Sequence, residues 1–166
     1  MEYKTEFLHC DQTLRDSSSA ELEEIFSIIR SIPWARDFSY TRNDKDAEHQ
    51  IAYNLAFKDS FKERGWETQP KLGDTGLTGD FRKELVFVEI QFGTSPTLCR
   101  DFYKFQYGFQ HGLLSLAVSI VPTKPVQFFP TRPRSISGMA EYDLALKYFT
   151  LIPIEIPTLI IGLKPN

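Results

Sequence analysis

The feature that most constrains the fold is an apolar, β-branched run between Gly79 and Gly93. Because the side chains of a strand alternate between the two faces of a sheet, this run divides by parity. One face would carry Val86, Val88, Ile90 and Phe92, and the other would carry Leu85, Phe87, Glu89 and Gln91. A strand that is apolar on both faces is usually covered on both. We therefore predict a central strand of a three-layer α/β/α domain, in which helices flank a mixed central sheet.

Two polar groups interrupt the second face of this strand. Glu89 and Gln91 would lie near buried surface, where an unpaired carboxylate is costly unless a cation accompanies it. Asp80 stands at the start of a short hairpin-like segment and offers a second carboxylate. Two carboxylates form a hard oxygen site that suits Mg²⁺. The alternative is that Glu89 lies at a solvated strand end and that Gln91 bonds a neighbouring backbone.

The order of these residues resembles a known enzyme family. Asp80, then Glu89-x-Gln91 followed by Phe92-Gly93, and later Val121-Pro122-Thr123-Lys124, is similar to the BglII and BstYI group of type II restriction endonucleases. The resemblance implies a restriction-endonuclease-like fold and Mg²⁺-dependent hydrolysis of a specific palindromic site in double-stranded DNA, of the kind that contains GATC. It also implies that Mn²⁺ can substitute for Mg²⁺.

The resemblance further implies roles for individual residues. Asp80 and Glu89 would bind the metal through their carboxylates, and the backbone carbonyl of Ile90 would be a further ligand. Gln91 replaces the lysine of the commoner Glu-x-Lys pattern, so it can orient a neighbouring group but supplies no charge. The metal would then have to acidify the attacking water largely unaided.

A helix before the hairpin contributes an Asn or Glu near the metal in the enzymes that this chain resembles. We match that position to Asn54, with Glu48 as the rival. From the residue pattern alone, Asn54 could instead bond a neighbouring backbone. Asp74 lies between Gly73 and Gly76, a setting typical of a turn, so we prefer Asp80 as the functional acid.

The charge distribution indicates where DNA would bind. Residues 1–30 hold three basic and seven acidic residues, whereas residues 91–140 hold five basic residues and one acidic residue. The positive segment contains a proline-rich loop from 122 to 137, which we predict to be long and irregular. Its candidate DNA contacts are Lys124, Arg132, Arg134, Ser135 and Ser137. A solvated loop without contacts to DNA is the alternative.

The remaining elements follow from periodicity and from helix boundaries. Predicted helices cover 19–31 with a Ser18-x-x-Glu21 capping box, about 44 to 65, 97–111 and 138–149; predicted strands cover 113–121 and 158–163; residues 33–46 are predicted to be irregular. A strand, a helix and a strand in succession predict a parallel crossover. Lys104 on the third helix would be solvated or would approach a phosphate.

Length and composition set the remaining expectations. The 166 residues suit one domain, which would combine catalysis and DNA binding over 1–166. Cys10 and Cys99 show no paired spacing, and neither a signal peptide nor a membrane span is predicted, so we expect a reducing, cytoplasmic location. The resemblance implies a homodimer and a cognate DNA methyltransferase as partner. Two rival functions remain, a structure-selective repair nuclease and an inactive DNA-binding module.

Overall fold

A computed structural model of the chain describes residues 1–132, 136, 138–151 and 155–165. Eight strands occur in this part of the chain: β1 Glu2–Leu8, β2 Ser39–Arg42, β3 Lys45–Glu48, β4 Glu67–Thr68, β5 Phe81–Lys83, β6 Val86–Ile90, β7 Leu116–Pro122 and β8 Thr158–Lys164. The helices are α1 Gln12–Ser17, α2 Ser19–Ser31, α3 His49–Glu63, α4 Thr97–Gln110, α5 Pro125–Phe128 and α6 Tyr142–Leu151.

The sheet is mixed, as predicted. Its six strands lie in the order β1-β8-β7-β6-β5-β4, while β2 and β3 form a separate hairpin. The three middle strands β6, β7 and β8 run parallel, and antiparallel strands flank them on both sides. The β6-α4-β7 connection is therefore the predicted parallel crossover, and β6 is the predicted central strand.

A hydrophobic core lies on each face of the sheet. On one face, Val86 and Val88 pack with α2 and α3, whose Phe57 is fully buried. On the other face, Phe87 packs with α4 and α6 through residues such as Phe105. The parity of the strand thus separates the two cores, and the predicted three-layer α/β/α architecture is confirmed.

Several predicted elements have the observed bounds or nearly so. Helix α2 covers 19–31, α4 ends one residue before the predicted 111, and β8 adds one residue to the predicted 158–163. The predicted capping box is wrong, because Ser18 is also the last residue of the turn that ends α1. Its backbone angles, φ −104° and ψ 11°, are not the extended ones that a capping box requires.

The segment before α3 was predicted incorrectly. Residues 39–48 form the β2-β3 hairpin, in which Arg42 pairs with Lys45 around a two-residue turn. Asn43 and Asp44 have φ of 51° and 58°, which is typical of a type I′ turn. Helix α3 therefore begins at His49 and not near Asp44, although it ends close to Gly65 as predicted.

The run from Gly79 to Gly93 is a hairpin and not one strand. Glu84 has φ of 48° at the turn, and Leu85 is 49% exposed instead of buried beside Phe87. At Gly79 the start of this hairpin packs directly against the core, because a Cβ there would lie 2.0 Å from the Phe87 ring. The turn brings Asp80 back alongside the far end of β6.

The segment after β7 is less irregular than predicted. It contains α5, and Phe128 and Phe129 are buried against Tyr53 and Phe92, with ring centroids 5.1 Å apart for Tyr53 and Phe128 and 5.5 Å apart for Phe92 and Phe129. Helix α6 starts at Tyr142, four residues later than predicted. Within the described ranges, no helix has both the length and the apolar character needed to cross a membrane.

Candidate active site

The β5-β6 hairpin places the two predicted acids side by side. Phe81 pairs with Val88 across the hairpin, and Asp80 and Glu89 are the next residues outward from that pair. Asp80 is half-buried, and its Oδ2 accepts a hydrogen bond of 2.8 Å from the backbone N–H of Ile90. The hairpin therefore fixes one carboxylate directly against the strand that carries the other.

Glu89 is deeply buried and does not lie at a solvated strand end. Its exposed fraction is 3%. Oε2 accepts a hydrogen bond of 2.9 Å from Lys104 Nζ, whereas Oε1 has no hydrogen-bond partner among the described residues. An unpartnered carboxylate oxygen in the interior is costly, and a cation at that oxygen would remove the cost.

Both polar atoms of the Gln91 side-chain amide form hydrogen bonds. Nε2 donates to Asp101 Oδ2 at 2.7 Å, and Oε1 accepts from the backbone N–H of Gly93 at 2.8 Å. Gly93 has no room for a side chain, because a Cβ would lie 2.5 Å from Gln91 Oε1. Gln91 thus lies between Asp101 and the Gly93 backbone, and the backbone contact is the one that the alternative interpretation predicted.

Asp101 and Lys104 on α4 contact Gln91 and Glu89; our sequence reasoning missed Asp101 and placed Lys104 incorrectly. Lys104 was expected to be solvated or near a phosphate, but it is 5% exposed and also binds Asp101 Oδ1 at 3.2 Å. Asp101 is fully buried. A signal was present, because Asp101 falls three residues after Leu98 and four before Phe105, within the apolar stripe of the helix.

The electrostatics of the site oppose bare carboxylates. Burial raises the pKa of Asp80. Burial, together with the negative charges of Asp80 and Asp101, raises the pKa of Glu89 well above its ordinary value. Burial alone would lower the pKa of Lys104, but the attraction of Glu89 and Asp101 outweighs it and raises that pKa. The carboxylates therefore favour a bound proton or a bound cation.

A cavity of about 170 Å³ opens beside Asp80 on the α3 side of the hairpin. Asn54, Lys58, Gln69, Asp80 and Ile90 are among the residues that line it. Asn54 therefore reaches the cleft at Asp80, which was one of its two predicted settings. Its rival does not share this cavity: Glu48 caps the start of α3, and its side chain is 74% exposed.

The donor atoms fit a magnesium ion. Within the described residues, no group of three or more His, Cys, Asp or Glu side chains is arranged to hold a metal ion, so the candidate side-chain donors here are the carboxylates of Asp80 and Glu89. Mg²⁺ is commonly held by one or two carboxylates, with water and substrate phosphate as the other ligands. On the protein side, Glu89 Oε1 has no hydrogen-bond partner among the described residues.

Two of the predicted DNA-binding residues, Lys124 and Arg132, have hydrogen-bond or ion-pair partners outside this network. Lys124 is half-exposed and pairs with Asp143 at 2.8 Å and with Glu141 at 3.6 Å. Arg132 donates a hydrogen bond to the Gln50 side chain at the start of α3. Arg134, Ser135 and Ser137 lie outside the described residues. Contact of these five residues with DNA stays a prediction.

Comparison with known proteins gives a consistent result. A family model described as Restriction endonuclease BglII/BglIII matches residues 3–163. Among solved structures, "Crystal structure of restriction endonuclease BGLII complexed with DNA 16-mer" superposes with a TM-score of 0.77 at 19% identity, covering 100% of this chain and 78% of that one. "Crystal structure of free BglII" gives a TM-score of 0.68 at 18% identity, with 100% and 81% covered. No curated protein sequence matches at a significant level.

Proposed function

Since this chain belongs to the BglII/BglIII family of restriction endonucleases, we propose that it cleaves double-stranded DNA at a specific palindromic site in a Mg²⁺-dependent reaction. Mn²⁺ is expected to replace Mg²⁺. Family membership makes the chain a type II site-specific nuclease, a class that generally uses divalent ions. The finer statements, namely the ion, the palindrome and the catalytic residues, are our proposal.

One observation carries the catalytic assignment. Asp80 and Glu89 are adjacent across the β5-β6 hairpin, and Glu89 keeps a buried oxygen without a partner among the described residues. Two desolvated carboxylates with raised pKa values are a poor arrangement for stability alone. Such perturbed groups beside a cavity are typical of functional sites.

The residues of the chain would divide the work as follows. Asp80 and Glu89 hold the metal, and the Ile90 carbonyl is a further ligand. When bound, a divalent ion lowers the pKa of a water molecule and offsets charge on the phosphate. Asn54 faces the same cavity as Asp80 and could orient the attacked phosphate or its water. Gln91 positions its neighbours through Asp101.

The protein also shields Glu89 from bulk water. Phe87 and Phe105 lie in the core on the α4 side of the sheet, the side to which Glu89 points. Excluding water from this side strengthens the electrostatic interactions of the buried carboxylate. The DNA strand would then have to approach from the cavity that Asn54 and Asp80 line.

Partners and location belong to the same proposal. The BglII relative is titled as complexed with a DNA 16-mer, which supports duplex DNA as the substrate. A palindrome mirrors a two-fold protein dimer, so we propose a homodimer, with a DNA methyltransferase that protects the host site. Residues 1–166 would act as one domain. Cys10 and Cys99 are free thiols, which suits the reducing cytoplasm.

Digestion of a sequenced, unmethylated phage DNA tests this function. With Mg²⁺ we expect discrete fragments whose mapped ends share one palindrome, and with a chelator we expect no cutting. Binding without cutting in Mg²⁺ or Mn²⁺ would indicate the inactive DNA-binding module. Cutting confined to branches, ends or mismatches would indicate a structure-selective repair nuclease.

Arg132→Ala tests the proposed DNA face. If Arg132 neutralises a phosphate, its loss should weaken DNA binding and reduce the slope of log affinity against log salt by about one. Fluorescence anisotropy with a labelled duplex, measured in a salt series without Mg²⁺, gives both quantities. The Gln50 side chain that Arg132 now contacts would remain in place.

Arg30→Ala is the matched control for Arg132. Arg30 lies in the last turn of α2, follows an acidic segment, and contacts the Tyr3 hydroxyl at 3.0 Å. Its removal should leave both the affinity and the salt slope unchanged. Equal behaviour of the Arg132 and Arg30 variants would remove Arg132 from the DNA face.

A further inference from the structure

We propose that Lys104 supplies from helix α4 the ammonium group that the strand lacks at Gln91, and that it is a positioning residue for Glu89. In the Glu-x-Lys arrangement, the strand itself carries this charge two residues after the acid. In this chain that position holds a neutral amide. The inference deepens the proposed nuclease function and rests on it.

The contacts form one continuous path from Glu89 to Gln91. Glu89 Oε2 lies 2.9 Å from Lys104 Nζ, and Lys104 Nζ lies 3.2 Å from Asp101 Oδ1. The other oxygen of Asp101 accepts from Gln91 Nε2 at 2.7 Å. The side chains of Glu89 and Gln91 both project from the strand towards α4, so the path runs along that face of the sheet. It joins the ammonium to the Gln91 amide through Asp101.

Stability alone does not account for these buried charges. Leu98 and Phe105 show that the same stripe of α4 accepts apolar residues, and both are fully buried. Replacing a buried ion pair by apolar residues of similar volume is often neutral or stabilising. A buried lysine with two carboxylate partners therefore contributes little to the packing of a helix. It does hold a positive charge at one defined position.

The charges around the site balance when a divalent ion is added. Asp80, Glu89 and Asp101 carry three negative charges, and Lys104 carries one positive charge. With all three acids ionised, a net charge of −2 remains, which one divalent cation would neutralise. Lys104 thus reduces the mutual repulsion of the acids before the metal arrives, without neutralising the site completely.

Lys104 also determines which oxygen of Glu89 is available. Because Oε2 is held by the ammonium, rotation of the carboxylate is restricted, and Oε1 is the oxygen without a partner among the described residues. Asp101 in turn restrains Lys104 from one side and Gln91 from the other. The network therefore presents a single, fixed oxygen of Glu89 to a cation.

Lys58 is the other lysine that could supply the positive charge that the strand lacks at Gln91. It lines the cavity with Asn54 and Asp80, but it does so from α3, on the opposite side of the sheet from Lys104. A lysine in that place would contact a phosphate directly and would not position Glu89. The two lysines therefore predict different results for metal binding by the free protein.

The test uses four variants of the full chain: Lys104→Met, Lys104→Met combined with Asp101→Asn, Lys58→Met, and Lys83→Met as a control. The double variant removes both charges of the α4 pair together, so it avoids a buried unpaired Asp101. Lys83 forms a more exposed ion pair, 2.8 Å from Glu24, at the turn end of the β5-β6 hairpin. For each protein we would measure Mn²⁺ affinity without DNA, single-turnover cleavage in saturating Mg²⁺, and melting temperature without metal.

We expect opposite effects on metal binding and on cleavage. Without the ammonium, Lys104→Met should bind Mn²⁺ about tenfold more tightly, because a positive charge next to a ligand is gone. The double variant also loses the Asp101 charge, so its Mn²⁺ affinity should stay close to that of the parent, and both variants are expected to lose cleavage. Their cleavage rate should fall about 100-fold, the typical effect of losing one preorganised group. Lys83→Met should match the parent in both measurements, and Lys58→Met should not tighten Mn²⁺ binding.

The inference is overturned by unchanged Mn²⁺ affinity in Lys104→Met, by parental cleavage rates in either Lys104 variant, or by tighter Mn²⁺ binding in Lys58→Met. Failure of both Lys104 variants to fold would also overturn it, because that would assign the lysine to the core alone. A parent protein that binds Mn²⁺ but cuts no DNA would refute the proposed function, and the affinity series would still decide the role of Lys104.

Discussion

Asp80→Asn and Glu89→Gln are each expected to slow DNA cleavage by at least about a thousandfold, since a bound ion contributes several kcal/mol to the transition state. Both substitutions keep the size of the side chain and remove the charge that holds the metal. DNA affinity should survive, because neither residue belongs to the basic segment. Single-turnover cleavage in Mg²⁺ measures the first effect, and anisotropy without divalent ions measures the second.

Asp74→Asn is the matched control for this pair. Asp74 is an exposed acid of the turn that precedes the hairpin, and it lies six residues from Asp80 in the sequence. The control should cut at the parental rate. Parental cleavage by either the Asp80 or the Glu89 variant would show that the metal is held elsewhere. Loss of DNA affinity in both would instead indicate a damaged fold.

Cleavage is also expected to fall steeply on the acid side, beginning above the ordinary range of carboxyl groups. Burial raises the pKa of Asp80, and burial with nearby negative charge raises the pKa of Glu89. A protonated carboxyl cannot bind the metal, so the rate should drop about tenfold per pH unit for each proton that must leave. A higher Mg²⁺ concentration should shift this acid-side decrease in rate, the acid limb of the pH profile, to lower pH. A limb that stays fixed as the Mg²⁺ concentration changes would contradict the assignment.

The stability of the metal-free protein should follow the same two groups. Their pKa values in the folded state lie above those of the unfolded chain. Such a group contributes stability that is fully present below its unfolded pKa and is lost as the pH rises through its folded pKa. We therefore expect the melting temperature to decrease from mildly acidic towards alkaline pH. Glu89→Gln should flatten this decrease.

Much of the fold could be predicted from periodicity. The alternation around Val88 and Phe87 assigned two faces to one strand, and the structure places a separate core on each. Helix α2 was predicted with its observed bounds, because its apolar spacing is regular over the whole length. Regular patterns of this kind reflect burial, and burial determines the layers of the domain.

The errors arose where a turn decided the structure. Asp44 and Asp46 suit the first turn of a helix, but Asn43-Asp44 also suits a type I′ turn, and the hairpin was the structure that formed. Strand β1 was not predicted, because its burial does not alternate cleanly along the edge of the sheet. Local sequence cannot resolve such choices when two local structures accept the same residues.

The candidate site was predicted in part, for a comparable reason. Asp80, Glu89 and Gln91 lie within one hairpin, so a short stretch of sequence contains all three. Lys104 and Asp101 reach the same place through the crossover from β6 to α4, and only the three-dimensional packing shows that contact.

The aromatic contacts of Tyr53, Phe92, Phe128 and Phe129 have a mechanical consequence. They tie the segment leading to Arg132 to helix α3 and to the end of the strand that carries Glu89. The Trp34 indole N–H also restrains this segment, because it donates a hydrogen bond of 3.0 Å to the Phe128 carbonyl. Packed rings of this kind shift as a unit. If DNA binds at Arg132 as proposed, a displacement of the Arg132 segment would therefore be transmitted through these rings to the end of the strand that carries Glu89.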